Sequence, residues 1–185
     1  SISGDWAIVG TGAEDKVHFF KKDVSGTWSF HSTLAPLAIH SSDLFGLSVD
    51  ISGTVAIVGD TGDDDVAGAA GAAYIYQYNG GTDTWDEIKK LTASDGAASD
   101  LFGSDVGITP TTAIVGANGD DDAGSGSGSA YVFSIDEGGV GNWGEVKKLT
   151  ASDAAAADEF GFSVAIDADR ILIGAPENDD SGSNS

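Results

Sequence analysis

A fixed period constrains this chain more than any single motif. Phe-Gly recurs at Phe45-Gly46, Phe102-Gly103 and Phe160-Gly161, and Trp recurs at Trp28, Trp85 and Trp143, so both markers step by 57 and then 58 residues. Ala-Ile-Val-Gly at 7–10, 56–59 and 113–116, with Ile-Leu-Ile-Gly at 171–174, steps by 49, 57 and 58. Such a period marks a stacked or radial architecture, in which one unit cannot bury its apolar face without neighbours. The 27 Gly among 185 residues point to many tight turns rather than long helices, and so to an all-β chain.

Each unit reads as four short strands. Phe45, Leu47, Val49 and Ile51 alternate with Gly46, Ser48 and Asp50, and Phe160, Phe162, Val164 and Ile166 repeat the alternation; a period of two is a strand. The second strand, Ala113 to Val115, is apolar at every position, as a strand covered on both faces is. The third spans Val17 to Phe20, Ala73 to Tyr76 and Ala130 to Phe133, where aromatics suit a pleated surface. The fourth spans Trp85 to Leu91 and Trp143 to Leu149, and its Lys89-Lys90 and Lys147-Lys148 pairs read as protection of a sheet edge. Gly-bearing turns at 52–54, 79–81 and 138–139 make neighbouring strands antiparallel. Four-stranded antiparallel units set around an axis are the blades of a β-propeller. A β-solenoid fits less well, because its coils are shorter and hold no four-strand meander.

The expected units are 1–43, 44–100, 101–158 and 159–185, about three blades in all. The first is read as lacking its first strand and its acidic loop, the last as holding only two strands. Open sheet edges of this kind lead to an expectation of homo-oligomers in which copies complete one another.

The string from Phe160 to Ile166, followed by Ile171 to Gly174, Ala175 and Pro176, resembles the FG-GAP repeat, found in integrin α-subunit propellers and in many bacterial and archaeal surface or secreted proteins. The two whole units carry Val58-Gly59-Asp60 and Val115-Gly116-Ala117-Asn118 at the second end of that pattern. The resemblance implies a propeller scaffold whose function lies in its loops, and an extracellular or cell-surface location. Integrin-type blades hold Ca²⁺ in an Asp-x-Asp-x-Asp-Gly loop between strands one and two. The matching segments here, after Asp50, Thr109 and Asp167, lack the full ligand set, so that site is not carried over.

The carboxylates gather instead between strands two and three, at Asp63, Asp64 and Asp65, at Asp120, Asp121 and Asp122, and at Asp179 and Asp180 after Asn178. The first unit lacks this loop, with six residues between Gly10 and Val17 against 14 between Gly59 and Tyr74. A second acidic group, Asp95 and Asp100, then Asp153, Asp158 and Glu159, lies between units. In an up-and-down meander both connections leave from the same end, so one face of the disc is expected to be acidic. The eight loop aspartates are candidate Ca²⁺ ligands, since a curled Gly-rich loop can gather the roughly 6–8 oxygens that the ion takes. Adjacent side chains of an extended segment point apart, so plain solvation of the turns is the competing reading. An acidic surface adapted to high salt is a third.

A net charge of −22, from 8 Lys plus Arg against 30 Asp plus Glu, repels nucleic acid and anionic membrane. No run approaches the roughly 20 apolar residues of a membrane span, and there is no Cys. His18, His31 and His40 lack the recurring close spacing of zinc ligands. There is no Gly-x-Ser-x-Gly elbow and no Gly-x-x-x-x-Gly-Lys phosphate loop, and the acids recur where a catalytic pair would be unique. The recurring Trp residues read as wedges in blade packing rather than as sugar platforms. The Gly-Ser alternation over 124–129 reads as plain turn. The expectation is a non-enzymatic extracellular binding or adhesion module for a protein or glycan partner. A self-assembling surface subunit and the propeller of a larger secreted enzyme are the alternatives.

Overall fold

The computed structural model describes residues 1–35 and 44–179. Its strands are β1 (Ile2–Ser3), β2 (Trp6–Thr11), β3 (Lys16–Lys22), β4 (Trp28–Leu34), β5 (Val49–Ser52), β6 (Val55–Asp60), β7 (Ala72–Asn79), β8 (Thr84–Leu91), β9 (Val106–Ile108), β10 (Thr112–Ala117), β11 (Ser129–Ser134), β12 (Gly144–Leu149), β13 (Ser163–Asp167) and β14 (Arg170–Gly174). They form three four-stranded antiparallel sheets, β1 to β4, β5 to β8 and β9 to β12, and a β13–β14 pair. Strand order within each sheet follows the chain. Each four-stranded sheet is therefore the meander blade of a propeller.

Two expectations about strand one need correction. The first sheet does carry a first strand, because Ile2 and Ser3 pair with Ala7 and Trp6. Strand one also starts later than the alternation implies, at Val49 and Ser163 rather than at the Phe-Gly. Phe45-Gly46 and Gly161 sit in turns, so Leu47 and Phe162 do not share a buried face with Val49 and Val164. They are 56% and 52% exposed.

The apolar second strands of the second and third sheets, β6 and β10, are covered from both sides. All six residues of β6 are buried. Ile57 faces a core shared with the third sheet, beside Ile75, Phe102, Val115 and Tyr131. Its neighbours Ala56 and Val58 face a core shared with the first sheet, beside Ile8, Phe19, Phe45 and Tyr74. Each core is thus a layer between two sheets, and each large side chain within it contributes about 1.5–3 kcal/mol. Trp85 and Trp143 are buried in these layers, as wedges would be. Trp28 is not: it is 40% exposed, and buried Trp6 instead meets Trp85 edge-on at 5.2 Å.

The Phe-Gly signature is a backbone joint between sheets. Gly103 N–H donates to Gly116 O of its own sheet at 2.9 Å, while Gly103 O would lie 2.1 Å from a Cβ placed on Gly59 of the preceding sheet. The same joint recurs at Gly10 against Gly46 and at Gly116 against Gly161, with 1.9 and 2.0 Å to the would-be Cβ. Neither partner can carry a side chain, and Gly46, Gly103 and Gly161 also hold φ near +90°. Carboxylates in and just before strand one add a second tie. Asp50 accepts from Ile108 N–H at 2.8 Å and Asp105 from Val164 N–H at 2.7 Å, each in the following unit.

Candidate functional site

The connection between strands two and three and the connection between sheets do emerge at one end, and they bond to each other. Ser99 N–H donates to Gly68 O and Phe102 N–H to Ala70 O, both at 2.9 Å. One unit on, Ala157, Glu159 and Phe160 N–H donate to Ser125, Gly126 and Ser127 O at 2.9 to 3.0 Å. The Gly-Ser alternation over 124–129 is therefore an adapter rather than a plain turn. A Cβ on Gly128 would lie 2.1 Å from Phe160 O. Asp100 and Asp158, both buried, close these connections by accepting from Ala97 and Ala155 N–H at 2.7 Å. Burial first, then the neighbouring Asp120 charge, raises the Asp100 carboxyl above its ordinary range despite the Ala97 bond.

The triplets enclose a lysine. In the third sheet Lys148 Nζ donates to Asp120 at 2.8 Å, to Asp122 at 2.6 Å and to Asp95, on the preceding connection, at 2.8 Å. Tyr131 lies below the ammonium, its ring centroid 5.2 Å from Nζ, and its hydroxyl donates to Asp120 at 3.0 Å and approaches Asp95 at 2.8 Å. Strand pairing brings this about, because Tyr131 stands opposite Lys148 in the ladder. Burial pushes Lys148 down, but the three carboxylates outweigh it and hold the ammonium above its ordinary value. Burial likewise pushes Asp120 and Asp95 up, and the bonds from Lys148 and Tyr131 bring both below the usual carboxylate range.

The second sheet holds a smaller version. Lys90 Nζ donates to Asp63 at 2.6 Å and Asp65 at 2.5 Å, over the ring of Tyr74 at 5.5 Å, whose hydroxyl donates to Asp63 at 3.1 Å. The second lysine of each pair is thus not an edge guard but the partner of the first and third aspartates. In the first sheet the ladder positions of the tyrosine and lysine hold His18 and Thr33, joined at 2.7 Å, and the acidic loop is absent.

Of the remaining candidates, Asp64 and Asp179 are exposed. Asp121, also exposed, accepts from Gly126 N–H at 2.7 Å. Asp180 and His40 lie outside the described residues. Among the described residues no group of three or more His, Asp or Glu side chains is arranged to hold a metal ion. The described carboxylates that converge do so on an ammonium, so among the described residues they do not fit Ca²⁺.

Sequence reasoning missed an apolar hollow at the same end. About 390 Å³ is lined by Leu44, Leu47, Thr61, Leu101, Ser104, Asn118 and Phe162. These are matching positions of successive units: Leu44 and Leu101 precede the Phe-Gly, Leu47, Ser104 and Phe162 follow it, and Thr61 and Asn118 open the acidic loops. Leu44 and Leu101 hold φ of 63° and 58°, a left-handed backbone that costs a non-Gly residue about 1 kcal/mol or more. The only sequence signal was that Leu47 and Phe162 occupy a position that Ser104 fills in the middle unit.

A family model described as FG-GAP repeat matches residues 28–76, 85–133 and 143–185, more than half of the chain. Each match opens on a recurring Trp and so runs from the fourth strand of one sheet into the next unit, across the glycine joint. The crystal structure of Saccharomyces cerevisiae Sqt1 superposes with a TM-score of 0.52 at 14% identity, over 83% of this chain and 34% of that one. That likeness speaks for the fold alone, and this chain spans about a third of that protein's length. Among curated proteins none matches.

Proposed function

The chain belongs to the FG-GAP repeat family, and from that premise we propose that it is a non-catalytic binding module of an extracellular or cell-surface protein, with adhesion to a protein partner as its role. The observation that carries this reading is the hollow at the loop end. Leu44, Leu47 and Phe162 are 40%, 56% and 52% exposed side by side, and contiguous exposed apolar side chains mark interaction sites. Thr61 and Asn118, which open the acidic loops, belong to its lining, and the chain carries a charge of −22, so the complementary ligand is an apolar anchor flanked by basic residues. A protein suits this lining better than a glycan. Of the recurring Trp rings, Trp85 and Trp143 are buried between sheets and Trp28, though 40% exposed, is not among the residues that line the hollow, which offers Leu and Phe instead. Nor do the converging carboxylates favour acid–base chemistry, since lysine ammonium groups occupy them.

The test is selection of displayed random peptides on the chain. Recovered binders carry an apolar residue beside Lys or Arg, weaken with added salt, and lose binding at least tenfold to the double variant Leu47→Asp, Phe162→Asp. Binders that hold the double variant as well as the parent chain would overturn the reading.

A further inference from the structure

We propose that the apolar anchor the hollow takes is a tyrosine: its ring lies against Leu44, Leu47 and Phe162, and its hydroxyl bonds the Thr61 hydroxyl, which the fold leaves without a partner. This deepens the reading of the hollow as a site for a protein segment and rests on it.

The lining is of two kinds. Leu44, Leu47, Leu101 and Phe162 are apolar, while Thr61, Ser104 and Asn118 are polar and uncharged. Thr61 is 4% exposed, and among the described residues its hydroxyl makes no hydrogen bond. Ser104 Oγ is likewise buried with no partner. The repeat accounts for this pair. In the first unit the position of Thr61 is held by Gly12, where a Cβ would lie 3.2 Å from Leu47 Cα; one unit on, the matching residues are Thr61 and Ser104. By contrast Ser127, also buried at this end, donates to Asp120 O at 3.2 Å and so serves its own loop.

These groups select the tip of the anchor. A purely apolar side chain such as Leu or Phe would fill the hollow, strip water from the Thr61 hydroxyl and put nothing in its place, which loses affinity. A charged tip has no counter-charge in the lining and would be desolvated without a partner. Ser, Thr, Asn and Gln carry the polar tip but lack a body to cover Leu and Phe. An apolar body with a neutral polar tip describes Tyr and Trp. The Thr61 and Ser104 hydroxyls each donate and accept; a phenol does both, whereas an indole N–H only donates. Tyrosine is therefore the better match.

The experiment takes displayed-peptide binders that lose affinity to Leu47→Asp, Phe162→Asp and measures them on the full chain, on Thr61→Val and on Thr61→Ser, each peptide with a Tyr and with a Phe anchor. Tyr should be the most frequent anchor recovered. On the parent chain and on Thr61→Ser, which keeps the hydroxyl, Tyr→Phe in the peptide should weaken binding about tenfold. Thr61→Val should weaken the Tyr peptide about tenfold and leave the Phe peptide within about twofold. Its thermal midpoint should stay or rise, because an unbonded buried hydroxyl gives way to a methyl of the same shape. Leu or Phe anchors recovered as often as Tyr, equal losses of both peptides on Thr61→Val, or a Thr61→Val chain that melts several degrees lower or fails to fold would each overturn the tyrosine and leave the hollow a binding site. A selection that yields no binder sensitive to Leu47→Asp, Phe162→Asp would overturn both.

Discussion

The first and third sheets share one joint and differ at one end. Both meet their successor through paired glycines, Gly10 with Gly46 and Gly116 with Gly161. At the loop end the third sheet holds a lysine in a cage of three carboxylates, while the first holds a His18 to Thr33 hydrogen bond and a three-residue 3-10 turn, Gly12–Glu14. The difference separates two tasks that the repeat combines. Glycine contact lets sheets approach, and it cannot vary. The caged lysine fixes the loops that stand above the contact, and a unit with no long loop does without it.

Each side of the comparison can be broken separately. The largest effect belongs to the joint: Gly116→Ala drives a Cβ to about 2.0 Å from Gly161 O and should cost more than about 4 kcal/mol, read by denaturant unfolding, or prevent folding. Next comes Lys148→Met, which strands three carboxylates and should cost about 3 kcal/mol.

That cost carries a pH signature. Asp95 and Asp120 have lowered values in the fold, so their contribution is present above the unfolded carboxylate value of about 4 and is lost as pH falls through the lowered folded values. Lys148 has a raised value, so its contribution is present below about pH 10 and is lost only as pH rises through the folded value. The parent chain therefore keeps the whole contribution between about pH 4 and 10. The Lys148→Met penalty should shrink as acid neutralises the carboxylates, and a penalty that stays constant down to pH 2 would speak against the cage.

Lys90→Met should cost less, about 1–2 kcal/mol. Its lysine meets two carboxylates instead of three, and Asp65 is largely exposed. The smallest change is Thr33→Lys, which puts a lysine where no acidic loop stands and should shift stability by no more than about 0.5 kcal/mol. A larger gain would show that the lysine acts without the loop.

Much of this was legible in the sequence. The 57- and 58-residue steps gave the repeat spacing, which the family matches beginning at 28, 85 and 143 keep, and the all-apolar Ile-Val stretches gave the central strands of the second and third sheets, because a strand covered on both sides leaves no room for polar residues. The shared end of the two acidic groups followed from meander topology alone. What sequence reasoning misread was pairing at a distance. Lys90 lies 25 residues from Asp65, and Lys148 lies 53 from Asp95, so the lysines looked like edge guards and their pairing with the aspartates stayed hidden. The clue was available: ladder pairing sets the second lysine opposite a tyrosine only in units with the acidic loop. The hollow was hidden for another reason. Alternation places Leu47 and Phe162 on a strand, but the positive φ at the neighbouring Gly46 and Gly161 turns the chain there and leaves both side chains outside.

One ammonium ties the loop of a sheet to the connection before it. A double-mutant cycle between Lys148→Met and Asp95→Asn, followed by denaturant unfolding near pH 7, measures that tie directly. The expected coupling is about 1–2 kcal/mol. Effects of the two substitutions that add to within about 0.3 kcal/mol would contradict it.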